Sequence, residues 1–84
     1  MNQSLAYVRE ILAGHTENDT IGKKIYDKIS NKQYDTERLF VKNLTAEEMY
    51  YLNQVLEEAI EYSNQEQDHE RSKQLTEVFE LLMI

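Results

Sequence analysis

The 84-residue sequence has no cysteine, no proline and no tryptophan, and only two glycines. Without cysteine there are no disulfide staples, thiolate nucleophiles or cysteine-ligated zinc. Without proline and with so little glycine, the chain lacks the residues that punctuate short strands and tight turns, which argues against sandwiches and barrels. Gly14 and Gly22 stand alone, so there is no glycine-rich phosphate loop. The two histidines, His15 and His69, belong to no His-x-x-His, His-Glu-x-x-His or Glu-x-x-His spacing, and a surface position is expected for both. No apolar run approaches the roughly 20 residues that span a bilayer, and Met1-Asn2-Gln3-Ser4 lacks the basic start and apolar stretch of a signal peptide. These absences lead to the expectations of no enzyme activity, no catalytic residue, no cofactor, no metal, no membrane partner and a cytoplasmic location.

What is present is enough for one small domain. Leu, Ile, Val and Phe make up 21 of 84 residues, above the level at which chains stay disordered for want of a core. Their spacing predicts an all-α fold: a small bundle of three to four helices ending in an antiparallel helical hairpin. The helices are expected over about 4–13, 17–31, a short 36–42, 45–64 and 68–83.

In the first segment Leu5, Val8, Ile11 and Leu12 share a face, Ser4 is the expected cap, and Gly14 is expected to end the helix in a left-handed turn. In the second, Ile21, Ile25 and Ile29 recur every four residues, with Thr16 and Asp19 resembling a capping box. Gly22 lies inside that helix and weakens it by up to about 1 kcal/mol relative to alanine, and it either permits a close helix contact or marks a later start. Residues 34–44 read either as a short helix capped by Asp35, with Leu39 and Phe40 inward, or as an extended stretch through Leu39-Phe40-Val41. Thr45-Ala46-Glu47-Glu48 is a capping box, after which Met49, Leu52, Leu56 and Ala59 keep a 3-4 rhythm. Residues 64–68 hold no apolar side chain, and a turn there, with Asp68 capping the last helix, is favoured over one long helix from 46 to 84. Leu75, Val78, Phe79 and Leu82 mark the last buried face.

Charge is unevenly placed. Residues 1–44 carry a formal +1 and residues 45–84 carry −8, for a net −7. The acidic half repels nucleic acid and anionic membrane and is open to a basic protein partner, or it is simply a solvated face. Glu57, Glu58 and Glu61 cluster there. Tyr50 and Tyr51 are adjacent on one helix, so they cannot both be core, and one of them is a candidate contact residue. The tail Leu81-Leu82-Met83-Ile84 is apolar on more than one side and either docks into the core or forms a dimer seam. The candidate partner surface is therefore Tyr50, Tyr51, Glu57, Glu58, Glu61, Leu81, Met83 and Ile84, serving a protein partner or self-association. Lys24, Lys28 and Lys32 form a basic stripe at i, i+4 and i+8, the competing candidate for phosphate contacts to nucleic acid.

The C-terminal half carries a further pattern. Asn53-x-x-Leu56-x-x-x-Ile60-x-Tyr62, followed by Glu66-Gln67-Asp68-x-x-Arg71-x-x-x-Leu75-x-x-Val78-Phe79-Glu80-Leu81-Leu82, resembles the small sigma-G-dependent sporulation proteins of endospore-forming Bacillus-type bacteria. Phe40-Val41-Lys42-Asn43-Leu44 resembles the segment that precedes this region in them. The resemblance implies expression in the developing spore, hence a forespore location, and implies no catalytic residue. Such proteins are grouped by name with small acid-soluble spore proteins that coat DNA. This acidic chain, with no glycine-rich basic segment, departs from that DNA-coating pattern. Within the region, Asp68 is expected to cap the last helix and Arg71 to reach Glu66 or a carboxylate on the preceding helix.

Overall fold

In a computed structural model, residues 2–83 are described, and those residues form five α-helices and no strand. They are α1 (Gln3–Ala13), α2 (Thr20–Asn31), α3 (Glu37–Lys42), α4 (Ala46–Gln65) and α5 (His69–Leu82). Residues 34–44 thus resolve in favour of a short helix, and residues 64–68 in favour of a turn.

Local chemistry sets the starts, at positions that differ in part from those expected. Asn2, not Ser4, caps α1 by accepting from the Leu5 amide at 3.2 Å. Ser4 is buried, and its hydroxyl faces Gln74 and Glu77 on α5. Asp19 caps α2 through the Gly22 amide at 3.0 Å, so this helix begins three residues later than a Thr16 cap would place it. Thr16 turns back to the Ala13 carbonyl. Thr36 rather than Asp35 caps α3, and that one-residue shift leaves Leu39 about half exposed while Phe40 and Val41 go inward. The Thr45–Glu48 capping box forms in full, with Glu48 N–H to Thr45 Oγ1 at 3.1 Å and Thr45 N–H to Glu48 Oε1 at 2.9 Å.

The turns reverse without left-handed glycine. Gly14 is right-handed (φ −81°), and its amide closes on the Ile11 carbonyl. The left-handed positions are Asn18 (φ 60°) and Gln67 (φ 58°). Around Gln67, the Asp68 amide donates to the Ser63 carbonyl at 2.8 Å and the Gln67 amide to the Asn64 carbonyl at 3.1 Å. This is the Schellman arrangement, which normally places glycine where Gln67 stands. Gln67→Gly is therefore expected to stabilise the protein by up to about 1 kcal/mol, relief of left-handed strain outweighing the added freedom of the unfolded chain. A rise in urea midpoint at unchanged slope would show it; a fall would mean that the turn is not strained.

Packing follows the apolar stripes. The core gathers Leu5, Val8 and Leu12 from α1, Ile25 and Ile29 from α2, Phe40 and Val41 from α3, Leu52 and Leu56 from α4, and Leu75, Val78 and Leu82 from α5. The α4–α5 contact is the most extensive; α1 packs on both α2 and α5, α3 rests on α5, and α2 touches α4. The radius of gyration is 11.7 Å, matching the roughly 12 Å of a compact chain of this length and incompatible with a single long C-terminal helix. Arg71 ties the α1–α5 seam. Its guanidinium meets Glu10 at 3.1 Å and Asp68 at 3.4 Å, and lies over the Tyr7 ring 4.8 Å from its centre. Its distant partner is therefore on α1, not Glu66 or α4 as expected.

Candidate interaction surface

Two polar anchors on α4 decide which of its faces remains free. The first is Tyr51. Its hydroxyl donates to Asp19 Oδ2 at 2.6 Å, and His15 Nδ1 lies 3.3 Å from the same oxygen. The phenol has one proton, already directed to Asp19, so the His15 nitrogen is the donor in that second contact. The α1–α2 loop and the start of α2 are thereby fixed to α4. Burial first, and then the bond to Asp19, pushes the Tyr51 phenol up to about 12. The same Tyr51 bond, followed by the Gly22 amide, holds the Asp19 carboxyl below its ordinary value.

The second anchor is Glu48, whose side chain is only 6% exposed. Burial opposes its ionisation, but the Lys28 ammonium at 2.6 Å and the Thr45 amide and hydroxyl outweigh burial and hold the carboxyl below its ordinary value. Lys28 also donates to the Asn43 carbonyl at 2.8 Å.

The pH dependence follows from these directions. Asp19 and Glu48, depressed in the folded state, contribute fully above the ordinary carboxylate range, and that contribution is lost as pH falls through it. Tyr51, raised in the folded state, contributes fully below its unfolded value of about 10, and that contribution is lost as pH climbs toward about 12. Urea midpoints are expected to hold level between roughly pH 5 and 10 and to fall on both sides. In Tyr51→Phe the alkaline fall should be shallower; an unchanged alkaline limb would mean that Tyr51 is not the group responsible.

With Tyr51 turned inward, the sequence-predicted surface separates. Tyr50 is 69% exposed. It shares an outer face of α4 with Glu57, Glu58 and Glu61 around a shallow recess of about 310 Å³. Among the described residues these glutamates make no salt bridge. Leu81 is half-buried and Met83 is exposed at the end of α5, and neither lines that recess; Ile84 lies outside the described residues. The lysine stripe is also divided. Lys28 is held by Glu48, Lys32 lies over the Tyr34 ring, neighbouring Lys23 pairs with Asp27, and Lys24 is exposed.

Sequence reasoning missed the other side of α4. There α1 and α4 border two adjoining open recesses, of about 440 and 370 Å³, that share Ile11, Ala59 and Tyr62. The signal was present in Ala59 and Tyr62, each one residue past Glu58 and Glu61, which border this side as well, but the part played by Ile11 depends on how α1 lies against α4. Among the described residues no three His, Asp or Glu side chains gather into a metal-binding group, and no helix is long and apolar enough to cross a membrane.

Fold and surface define a small all-helical protein with open recesses and an acidic exposed face. The family model described as CsgA, minor curli fiber component A, matches residues 1–83, and the chain belongs to that family. It is 46% identical over 83 residues, 99% of this chain and 100% of the relative, to the Bacillus subtilis (strain 168) protein named Sigma-G-dependent sporulation-specific SASP protein. The resemblance carried by residues 40–84 therefore extends across the whole chain. No solved structure gives a significant match.

Proposed function

We propose that this chain is a single-domain, non-enzymatic binding protein of sporulating cells, acting in the forespore cytoplasm through protein–protein contact. In this reading α4 and α5 form an antiparallel hairpin, and the exposed side of α4 holds a basic segment of another protein. One observation carries it. Tyr50, Glu57, Glu58 and Glu61 stand together on one exposed face with their charges uncompensated, while most cations of the lysine stripe are engaged within the chain. Sporulation enters through the full-length relative, whose name specifies it. An aromatic beside unpaired charge is a common make-up for a contact patch.

The same charge layout disfavours nucleic acid. Phosphate binding needs several free cations and shows steep salt dependence, and here Lys28 is withdrawn from the stripe. The test is capture from sporulating cells by the full chain and by its Glu57→Lys/Glu58→Lys/Glu61→Lys variant. Partners held by the native chain should fall about tenfold or more with the variant, because repulsive juxtaposition at an interface costs more than a kcal/mol, and duplex DNA should not shift in a low-salt gel. A complex indifferent to the triple reversal, or a clear low-salt DNA shift, would contradict the proposal.

A further inference from the structure

The side of α4 toward α1 is built differently from its outer face. At 20 residues α4 is about 30 Å long, against about 18 Å for the 12 residues of α2. The fixed points between them, Lys28–Glu48 and Asp19–Tyr51, lie in the first two turns of α4. Past Val55 the recesses between α1 and α4 are left open. Their floor is apolar, with Ile11, Val55 and Ala59. Their rim carries Glu58 and Glu61 and the Tyr62 ring, 64% exposed. At the far end lies Ser63, 2% exposed, whose hydroxyl has no hydrogen-bond partner.

We infer that this groove takes a basic amphipathic helix of a partner protein, one large apolar side chain seating over Ile11 and Ala59 and an arginine or lysine one turn away reaching Glu58 and Glu61. The inference rests on the protein-binding reading above and names the occupant. Glu58 and Glu61 are three residues apart on one helix, so cations at one-turn spacing on a second helix meet both. The cation also gains the face of Tyr62, and its alkyl stem covers apolar floor. The two basic side chains at the groove are His15 and Arg71, and Arg71 is already engaged by Glu10 and Asp68. A second copy of this chain is a poor occupant, since Lys23, Lys28 and Arg71 are paired internally and two copies, each of net charge −7, repel one another.

The test is an amide chemical-shift titration of the labelled full chain with a 16-residue synthetic helix carrying leucines along one face and arginines one turn from them. The control peptide replaces each arginine with glutamine. Shifts are expected at Ile11, Ala59 and Tyr62 with the arginine peptide, and at least tenfold weaker binding with the control. Ala59→Trp fills the groove without changing charge and should weaken binding tenfold or more. Ala59→Leu, whose amide spectrum verifies folding, should weaken it several-fold. Glu80→Gln, at an exposed position of α5 that lines neither recess, should change it less than threefold. If both Ala59 variants bind like the native chain while triple reversal of Glu57, Glu58 and Glu61 abolishes binding, the groove is wrong and the acidic face stands. If the peptide shifts no amide at millimolar concentration, the groove inference is overturned, and the acidic-face reading is decided separately by capture from cells. If sedimentation shows a dimer that Ala59→Trp dissociates, the occupant is a second copy and the inference is equally overturned.

Discussion

Replacing Gly22 with alanine is expected to lower the melting temperature by about 10–20 °C, corresponding to a loss of roughly 2–3 kcal/mol in a domain of this size. Helix propensity alone gives the opposite sign, since alanine is favoured over glycine inside a helix by up to about 1 kcal/mol. Geometry reverses it. A methyl group at position 22 would sit 2.2 Å from the His15 carbonyl oxygen, 2.8 Å from the Tyr51 hydroxyl and 3.1 Å from the His15 Cβ. The tyrosine could yield, but a backbone carbonyl moves only with its loop. That loop is held by the Leu12 carbonyl, which accepts from the His15 amide at 2.8 Å. The substitution therefore pushes the α1–α2 loop off α4 and loosens the Asp19–Tyr51 bond with it. Thermal unfolding followed by helical ellipticity decides the matter; an unchanged or raised melting temperature would show that the loop does not pack so closely.

Glu48→Ala is expected to cost about 2–3 kcal/mol. Breaking a buried ion pair by removing one partner costs roughly 3–5 kcal/mol, and the figure is reduced here because Lys28 keeps about a third of its side chain in water. The same carboxylate closes the Thr45 capping box, so the start of α4 loses its cap as well. Adding Lys28→Met should recover part of the loss by removing the stranded ammonium. Urea unfolding of the two single variants and the double variant gives the coupling directly. Additive costs would mean that the pair contributes nothing beyond its separate parts.

Much of this architecture is legible in the sequence because it is local. The Thr45–Glu48 box, the apolar stripes and the polar interval 64–68 each act within a few residues, and each appears in the structure where its spacing places it. Choices between neighbouring caps were not legible. Asn2 and Ser4 are both competent caps, and the choice rests on Ser4 being drawn to Gln74 and Glu77 seventy positions away. Thr16 and Asp19 compete in the same way, and Tyr51 settles the matter for Asp19. Phe40 faces inward as expected, whereas Leu39 turns outward and Val41 is buried in its stead, with Thr36 and not Asp35 capping α3. The surface follows this pattern. Tyr50 and the glutamates share a face because one helix carries them, whereas the inward turn of Tyr51, the capture of Lys28 and the part of Ile11 in a groove arise only once distant helices meet.

The working surface is tested most directly by placing a photo-crosslinking amino acid, one position at a time, at Tyr50, Glu61, Lys24 and Met83 of the full chain in sporulating cells. Positions 50 and 61 should yield a discrete adduct with a basic protein, and positions 24 and 83 should yield none of it. Adducts arising only from position 24 or only from position 83, with 50 and 61 silent, would contradict the assignment of function to the acidic side of α4.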